Sequence, residues 1–354
     1  MIGLEDIYKV VAAMAPLYVA LTLGYGSVRW WHMFKPDHCD AINRFNCYFI
    51  MPFFGFEFTA HVNPYTMNYK FITADIIAKC LIGIILGLWA NFSPKGSFCW
   101  SITAFSLSSL NNTLVVGVPL LQAMYGQLGV DLVVQSSVIQ ALLWIIALLF
   151  MLELRRAKSL PPPQTERKSS SSDLEENGGG APAVVVVVPP SFWSIMKIVL
   201  FKLVKNPNAY STILGLIWAL LSHRWHFGMP SIIEGSIIIM SKAGSAVSMF
   251  NLGLFMGLQG KIMVCGLSKT LLGMVLRFIV GPASVAIGAV ALGLRGKVLC
   301  VSVIQAALPQ AIASFVYAQE YGLHAGILST TVIIGTIASL PLLIAYYAIL
   351  DVLP

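Results

Sequence analysis

The sequence contains very little charge: aspartate, glutamate, lysine and arginine make up 10% of its 354 residues, whereas 57% are hydrophobic. Soluble globular domains carry about 25% charged residues, so this composition favours a protein of the lipid bilayer. The chain has no Walker sequence and no G-x-G-x-x-G fingerprint after a strand. Its six cysteines form no C-x-x-C pair, and its six histidines lack metal-ligand spacing. We therefore expect no enzyme activity, cofactor, metal site or nucleic-acid partner.

Apolar stretches long enough to cross a bilayer recur along the chain. A spanning helix needs roughly 20 apolar residues. Ten candidates are found, at about 7–26, 39–60, 70–91, 98–125, 130–154, 208–223, 231–257, 265–293, 297–319 and 325–350. The sequence thus predicts an all-α integral membrane protein with ten transmembrane helices.

A single polar stretch, 155–193, divides these helices into two groups of five. Its proline, serine and glycine runs predict disorder. We assign 1–154 to a first five-helix repeat and 194–354 to a second, preceded by an amphipathic helix on the membrane surface from Phe192 to Lys205. Lysine and arginine are commoner after odd-numbered helices, which predicts a cytosolic loop and both termini on the other side.

The two groups of helices resemble each other. Arg29 and Arg224 lie in tryptophan-containing helix ends that are 195 residues apart, and the helix ends at Gly126 and Gly322 are 196 residues apart. Five helices per repeat is an odd number, so the repeats must be inverted across the membrane, as in many secondary transporters. Chance similarity of tryptophan-rich helix ends is the alternative.

Two apolar helices contain residues that disfavour a continuous helix. Helix four holds Ser109 to Pro119, with Asn111, Asn112 and Thr113, and helix nine holds Ala307 to Ala311, with Pro309 and Gln310. If both helices break and cross at mid-membrane, the N–H groups at their half-helix amino termini create an anion site. In this hypothesis Asn112 donates to a carboxylate, assisted by its neighbours. The alternative is a pair of kinked helices whose polar groups satisfy one another.

Further polar and aromatic residues lie within the predicted spans. Asp75 and Lys79 are four residues apart on helix three and can pair beside a transport path, or Lys79 can snorkel towards the membrane surface. The aromatic stretch around Phe54 and Gly55 has two possible roles: it forms one wall of a site for a flat substrate, or it serves ordinary helix packing. The same two readings apply to Gln140 and Trp144. The sequence leaves open whether Lys242 and Arg277 hold a structural pairing or guide anions.

Several strings together resemble the PIN-FORMED auxin efflux carriers of plants. They are Met14 to Ala20, Asn112 to Leu120, Pro207-Asn208 and Gln305 to Gln310. The resemblance implies two inverted five-helix repeats with broken, crossing helices four and nine, binding of the indole-3-acetate anion near the crossover, and a homodimer in membrane lipid. The short loop resembles the short-loop branch of this family, which implies the endoplasmic reticulum membrane with lumenal termini.

The resemblance also implies roles for individual residues. Asn112 and Pro309 match the crossover positions, Ile312 a nearby wall, Gln140 a pocket-lining polar residue, and Asp75 with Lys79 an ionisable support pair. Three positions depart from the family pattern: Asn111 stands where proline is frequent, Gly55 where serine is frequent, and Ile145 where a tyrosine can line the site. We expect these departures to keep the class of substrate and to alter the affinity and the rate.

We therefore expect an alternating-access carrier that moves auxin anions from cytosol to endoplasmic reticulum lumen without a coupling ion. The predicted substrate-binding residues are Asn111, Asn112, Thr113, Gln140, Pro309, Gln310, Ile312, Phe54, Gly55 and Ile145, with Asp75 and Lys79 as a support or proton-linked pair. One rival is a proton- or sodium-coupled carrier of another organic anion. The other is a membrane scaffold or receptor that transports nothing.

Overall fold

The computed structural model describes residues 4–159, 192–260 and 263–352. Apart from one isolated bridge, the regular structure of these residues is helical. The helices of the first half are α1 (Leu4–Arg29), α2 (Pro36–Phe45), α3 (Met51–Ala60), α4 (Tyr69–Phe92), α5 (Phe98–Ser109), α6 (Val118–Tyr125), α7 (Gln127–Ile139) and α8 (Ile145–Ser159). Those that follow are α9 (Phe192–Lys205), α10 (Pro207–Trp225), α11 (Ser231–Lys242), α12 (Gly244–Leu258), α13 (Leu267–Val275), α14 (Gly281–Ala291), α15 (Gly296–Ala306), α16 (Ile312–Glu320) and α17 (Ala325–Val352).

Six helical segments of the described residues are long and apolar enough to cross a membrane, which confirms an integral membrane protein. They are Glu5–Arg29, Tyr69–Phe92, Gln127–Lys158, Ser231–Leu258, Leu267–Ala291 and Ala325–Asp351. Each falls on one of the ten predicted spans. Two other predicted spans are helical, over Pro36–Ala60 and Pro207–Trp225, and the remaining two are interrupted.

Most of the predicted central loop, residues 160–191, lies outside the described residues. At its two edges the structure is helical, because α8 continues to Ser159 and α9 begins at Phe192. The helical range Phe192–Lys205 is the one for which the sequence predicts a surface helix. Its position at a membrane surface stays a prediction.

The described residues contain four π-helical turns; three join two shorter helices into a longer one, and the fourth leads from the first break into α6. They lie at Asn46–Ile50, Thr113–Gly117, Gln140–Trp144 and Leu276–Val280. Three of them end two residues before a proline, namely Pro52, Pro119 and Pro282. Proline lacks an N–H and clashes with the carbonyl four residues earlier. The wider turn relieves that clash while the helix continues.

Glycines allow the closest helix contacts. A Cβ atom on Gly253 of α12 would lie 2.1 Å from the Leu21 carbonyl oxygen of α1, and one on Gly24 would lie 2.1 Å from the Phe250 carbonyl oxygen. Between α4 and α14, a Cβ on Gly288 would lie 2.8 Å from the Ala74 carbonyl oxygen. Small residues are common where membrane helices pack, because backbones can then approach closely.

Lys202 fixes α9 against α8 and against the end of α16. Its ammonium lies 3.0 Å from Glu153 and 2.8 Å from Glu320, and it donates to the Tyr321 hydroxyl at 2.7 Å. Burial alone would lower the pKa of Lys202, but the hydrogen bonds to Glu320, Tyr321 and Glu153 outweigh it and raise the pKa above its ordinary value. Burial and Glu153 raise the pKa of Tyr321 to about 12. The helix that follows the central loop is therefore tied to both neighbours.

Candidate functional site

Two helices are interrupted, and the interruptions lie against each other. Helix α5 ends at Ser109 and helical structure resumes at Thr113, whereas α15 ends at Ala306 and α16 begins at Ile312. Asn111 and Gln310 form an antiparallel bridge between the two extended segments. Asn112 N donates to Pro309 O at 2.9 Å, and Ala311 N donates to Leu110 O at 3.1 Å. Each break therefore satisfies part of the backbone of the other.

The contact is tight at Gly117 of the first interrupted helix. A Cβ atom there would lie 2.7 Å from Leu308 Cδ1 and 2.9 Å from Val133 Cγ2. Since real Cβ atoms do not approach other atoms so closely, only glycine lets this helix reach the second break without displacing its neighbours.

In the part of the chain that the structure describes, neither half-helix amino terminus has a capping side-chain hydrogen bond. The N-cap residue is Asn112 for the helix that resumes at Thr113, and Ala311 for α16, which begins at Ile312. The first N–H groups of a helix have no partner within that helix and carry a partial positive charge. Two such ends at one place form an arrangement that favours an anion.

Asn112 places an additional donor beside these ends. Asn112 is 8% exposed, and no group of the described residues forms a hydrogen bond with its amide nitrogen Nδ2. Buried polar groups normally have partners, so each exception needs an explanation. The other unpartnered buried side-chain atoms of these breaks are Ser106 Oγ, Ser109 Oγ, Asn111 Oδ1 and Gln310 Oε1. Unused hydrogen-bonding capacity is thus concentrated where the sequence predicts a ligand.

Asn111, in contrast, is engaged by two glutamines. Asn111 N donates to Gln140 Oε1 at 2.8 Å, and Gln140 Nε2 donates to Asn111 O at 2.7 Å. The Asn111 side chain donates to Gln305 O at 2.8 Å. These bonds fix the backbone of the first break. Gln140 therefore supports the break, and its predicted contact with a substrate stays a prediction.

Gln305 connects the breaks to Asp75. Its side chain is fully buried, accepts from Ser136 Oγ at 2.8 Å and donates to Asp75 Oδ1 at 3.4 Å. Gln305 was not among the predicted site residues. A polar residue five places before the bridge partner Gln310 was visible in the sequence, but the sequence did not show its distant partners.

Asp75 and Lys79 pair as their spacing predicts. Lys79 Nζ lies 2.9 Å from Asp75 Oδ2, and both side chains are almost completely buried. Trp144 Nε1 donates to Asp75 Oδ2 at 3.1 Å, and the Lys79 ammonium lies 5.5 Å from the centre of the Trp144 ring. Their burial argues against snorkelling to the membrane surface. Gln305 connects the pair to the first break, because it donates to Asp75 and accepts from the Asn111 side chain.

Arg277 and Lys242, which the sequence left undecided, differ in their surroundings. Lys242 is exposed at the end of α11. Arg277 is completely buried, and its guanidinium donates to backbone carbonyls at both breaks. The sequence indicated a special role for Arg277 only through the presence of an arginine in an apolar span.

Three predicted wall residues lie in helix packing. Phe54 packs under Gly244 of α12 and edge-on to Phe58, with ring centres 5.0 Å apart. A Cβ on Gly55 would meet Ser211 Oγ of α10 at 3.4 Å. Ile145 is partly buried in the apolar cluster that contains Trp144. Their predicted contact with a substrate remains untested, and Ile312 begins α16 directly at the second break.

Comparison with known proteins identifies the family. The model of the membrane transport protein family (Mem_trans) matches residues 9–347. The chain is 58% identical over 351 residues to auxin efflux carrier component 5 of Arabidopsis thaliana, covering 99% of each chain. It is 55% identical over 362 residues to probable auxin efflux carrier component 5a of Oryza sativa subsp. japonica, covering 100% of each.

A third relative is auxin efflux carrier component 8 of Arabidopsis thaliana, 39% identical over 366 residues that cover 99% of this chain and 100% of the relative. Such alignments leave no room for a long central insertion in these relatives, so all three share the short loop. The resemblance to the short-loop PIN-FORMED carriers is thereby confirmed. The chain belongs to the membrane transport protein family and, within it, to the auxin efflux carriers; it is a transporter and not an enzyme.

Proposed function

We propose that this protein transports the indole-3-acetate anion and related auxins across the endoplasmic reticulum membrane by alternating access. The observation that carries the proposal is the pair of uncapped half-helix amino termini that meet beside the unpartnered amide of Asn112. The names of the relatives, all auxin efflux carriers, supply the class of substrate. The carboxylate binds at Asn112, with Thr113 and Gln310 as neighbouring polar groups and Pro309 and Ile312 at the second break.

The proposed architecture is two inverted repeats of five helices with crossing helices four and nine. Four helix ends support it. His32 and His226, which follow α1 and α10, both have left-handed backbone, with φ of 51° and 55°. Gly126 directly follows α6 and has φ of 63°, and Gly322 lies two residues after the end of α16 and has φ of 60°. Residues with positive φ therefore recur after corresponding helices at nearly the same offset along the chain.

The proposed moving domain contains predicted helices three to five and eight to ten, and the scaffold contains one, two, six and seven. Packing agrees with this division. Within the scaffold, α1 packs on α12, and α3 packs on α10 and α11. Within the moving domain, α4 and α15 pack on α14, and α16 packs on α17. We propose that the scaffold also forms a homodimer surrounded by lipid.

Transport from cytosol to lumen needs no coupling ion in this proposal. Moving one negative charge across a potential of 100 mV is worth about 2.3 kcal/mol. Since about 1.4 kcal/mol changes an equilibrium tenfold, this potential concentrates a monovalent anion about fifty-fold. The loop is cytosolic and the termini are lumenal, as the distribution of lysine and arginine predicts.

Uptake of labelled indole-3-acetate into proteoliposomes tests the proposal. The protein should move indole-3-acetate without a sodium or proton gradient. A membrane potential that is positive inside the liposomes should increase the uptake of this anion. Benzoate tests selectivity, and protein-free liposomes measure leakage of the neutral acid. Uptake that ignores auxin but follows a sodium or proton gradient favours a coupled carrier of another organic anion. Absence of any uptake by folded protein favours a scaffold or receptor.

A further inference from the structure

Arg277 lies where both interrupted helices end. Helix α5 ends at Ser109, and Arg277 Nη1 donates to Leu107 O at 3.2 Å and to Leu110 O at 3.1 Å. Helix α15 ends at Ala306, whose carbonyl oxygen accepts from Arg277 Nη2. The last carbonyls of a helix have no partner within that helix. One guanidinium therefore caps the carboxyl ends of both helices.

No ion pair joins Arg277 to a carboxylate within the described part of the chain. A buried charge is costly unless other groups stabilise it. The carboxyl end of a helix carries about half a negative charge, so two such ends present about one unit. This matches the single positive charge of arginine. The counter-charge of Arg277 is therefore the pair of helix ends.

In secondary transporters, unwound carbonyls and half-helix carboxyl ends commonly coordinate a coupling sodium ion or proton. We propose that Arg277 is a fixed internal cation in this position, so that its guanidinium does permanently what a bound coupling cation does in a coupled carrier. This inference rests on the proposed anion transport at the breaks. The inference also extends the proposed function, because Arg277 is then the positioning residue that makes the site independent of external cations.

The charge balance of the site explains why a fixed cation at Arg277 favours the binding of an anion. Arg277 neutralises the two carboxyl ends, while the Asp75–Lys79 pair is neutral in itself. The two amino termini then remain as the uncompensated positive ends, and one carboxylate anion matches them. Without Arg277, the negative carboxyl ends would oppose anion binding a few residues away. Gly281 permits this packing, because a Cβ there would lie 2.7 Å from Ser108 O and 3.4 Å from Arg277 Nη2.

The test compares cation dependence in purified full-length protein. Indole-3-acetate binding is measured in buffers whose main cation is sodium, potassium or N-methylglucamine. Wild type should bind equally in all three. Arg277→Ala should bind about tenfold more weakly or worse in N-methylglucamine, since the two negative helix ends then lack their counter-charge. Sodium or millimolar guanidinium should restore part of that binding by entering the carbonyl site.

Unfolding temperature provides the second readout, because it does not depend on auxin binding. Guanidinium or sodium should raise it for Arg277→Ala more than for wild type. Lys242→Ala, which removes an exposed lysine from another predicted span, is the matched control and should acquire no cation response. If Arg277→Ala does not fold, Arg277→Lys, which keeps the charge, should bind in all three buffers better than Arg277→Gln.

The inference is overturned if folded Arg277→Ala binds like wild type, or if no cation changes either readout of that variant. It is also overturned if Arg277→Lys and Arg277→Gln are equally impaired. Wild type that binds no auxin in any buffer would contradict the proposed function instead. In that case the cation response of the unfolding temperature still decides the role of Arg277.

Discussion

Gln140 and Asn111 exchange two hydrogen bonds: Asn111 N donates to Gln140 Oε1 at 2.8 Å, and Gln140 Nε2 donates to Asn111 O at 2.7 Å. A residue of an adjacent antiparallel strand would engage a backbone in the same way. One side chain thus replaces the helical partners that Asn111 loses where α5 ends. The break is a defined structure and not a frayed helix end.

Removing that side chain should destabilise the fold. Gln140→Leu leaves the buried N–H and C=O of Asn111 unpaired, which costs about 1–3 kcal/mol per group. We expect a lower unfolding temperature in detergent, and a smaller loss for Gln140→Glu, which keeps the acceptor. Gln122→Leu on the exposed side of α6 is the control and should melt like wild type. Equal melting of Gln140→Leu and wild type would contradict the structural role of Gln140.

Asp75 and Lys79 should behave as a coupled pair. Removing one partner of a buried ion pair costs about 3–5 kcal/mol, because the other charge is left uncompensated. Asp75→Asn and Lys79→Gln should each lower stability, and the double variant should lose clearly less than the sum. Denaturant unfolding of all four proteins measures the coupling. The exposed pair of Glu5 and Lys9, 3.5 Å apart, is the control, with coupling below about 1 kcal/mol. Additive losses at Asp75 and Lys79 would refute the pairing.

Gly281 should not tolerate a methyl group. A Cβ atom there would lie 2.7 Å from Ser108 O, so Gly281→Ala must displace α14 from the first break. Overpacking of this kind costs about 1–3 kcal/mol, and we expect weaker auxin binding as well. Gly87→Ala in α4 is the control, because a Cβ there has no atom of the described residues within 4 Å and favours the helix. If both variants melt alike, Gly281 is not needed for close approach.

His324 should make stability depend on pH. Burial lowers its pKa, and the nearby cations Arg155 and Lys269 lower it further. The unfolded chain then takes up a proton near the ordinary pKa of about 6.5 more readily than the folded protein. Stability should therefore fall as the pH drops below that value. Unfolding temperatures measured from pH 7.5 to pH 5 (roughly one unit either side of the ordinary value) give the slope.

His324→Asn should reduce that slope, since asparagine tolerates the left-handed backbone at this position, where φ is 48°. His226→Asn is the matched control, because His226 is exposed and has φ of 55°. It should keep the wild-type slope. An unchanged slope in His324→Asn would assign the pH dependence to other groups.

The sequence predicted the features that depend on local chemistry. Apolar stretches predicted the membrane helices, and asparagine and proline predicted where two of them are interrupted. The spacing of Asp75 and Lys79 predicted their pairing, because residues four apart share one face of a helix. The hypothesis that the two interrupted helices meet came from the asparagine and proline residues, and the structure brings Asn111 and Gln310 together.

The contacts that remained hidden are distant along the chain. Arg277 reaches Leu107 and Leu110, and Gln305 reaches Asp75 and Ser136. A single sequence shows that these polar residues lie in apolar spans and need partners. It does not show which partners, because the register of helix packing decides that. For Phe54 the sequence indicated a wall of the substrate site or ordinary packing. The structure buries this side chain against Gly244, so its packing accounts for its burial without a substrate.

The central claim is that the Asn112 amide binds the carboxylate of an auxin. Indole-3-acetate affinity of purified Asn112→Ala against wild type tests it most directly, with Asn91→Ala on the exposed side of α4 as control. Loss of a hydrogen bond to a charged group is worth about 1.5–3 kcal/mol. We predict that Asn112→Ala binds at least about tenfold more weakly while folding normally, and that Asn91→Ala binds like wild type. An Asn112→Ala protein with wild-type affinity would contradict the account.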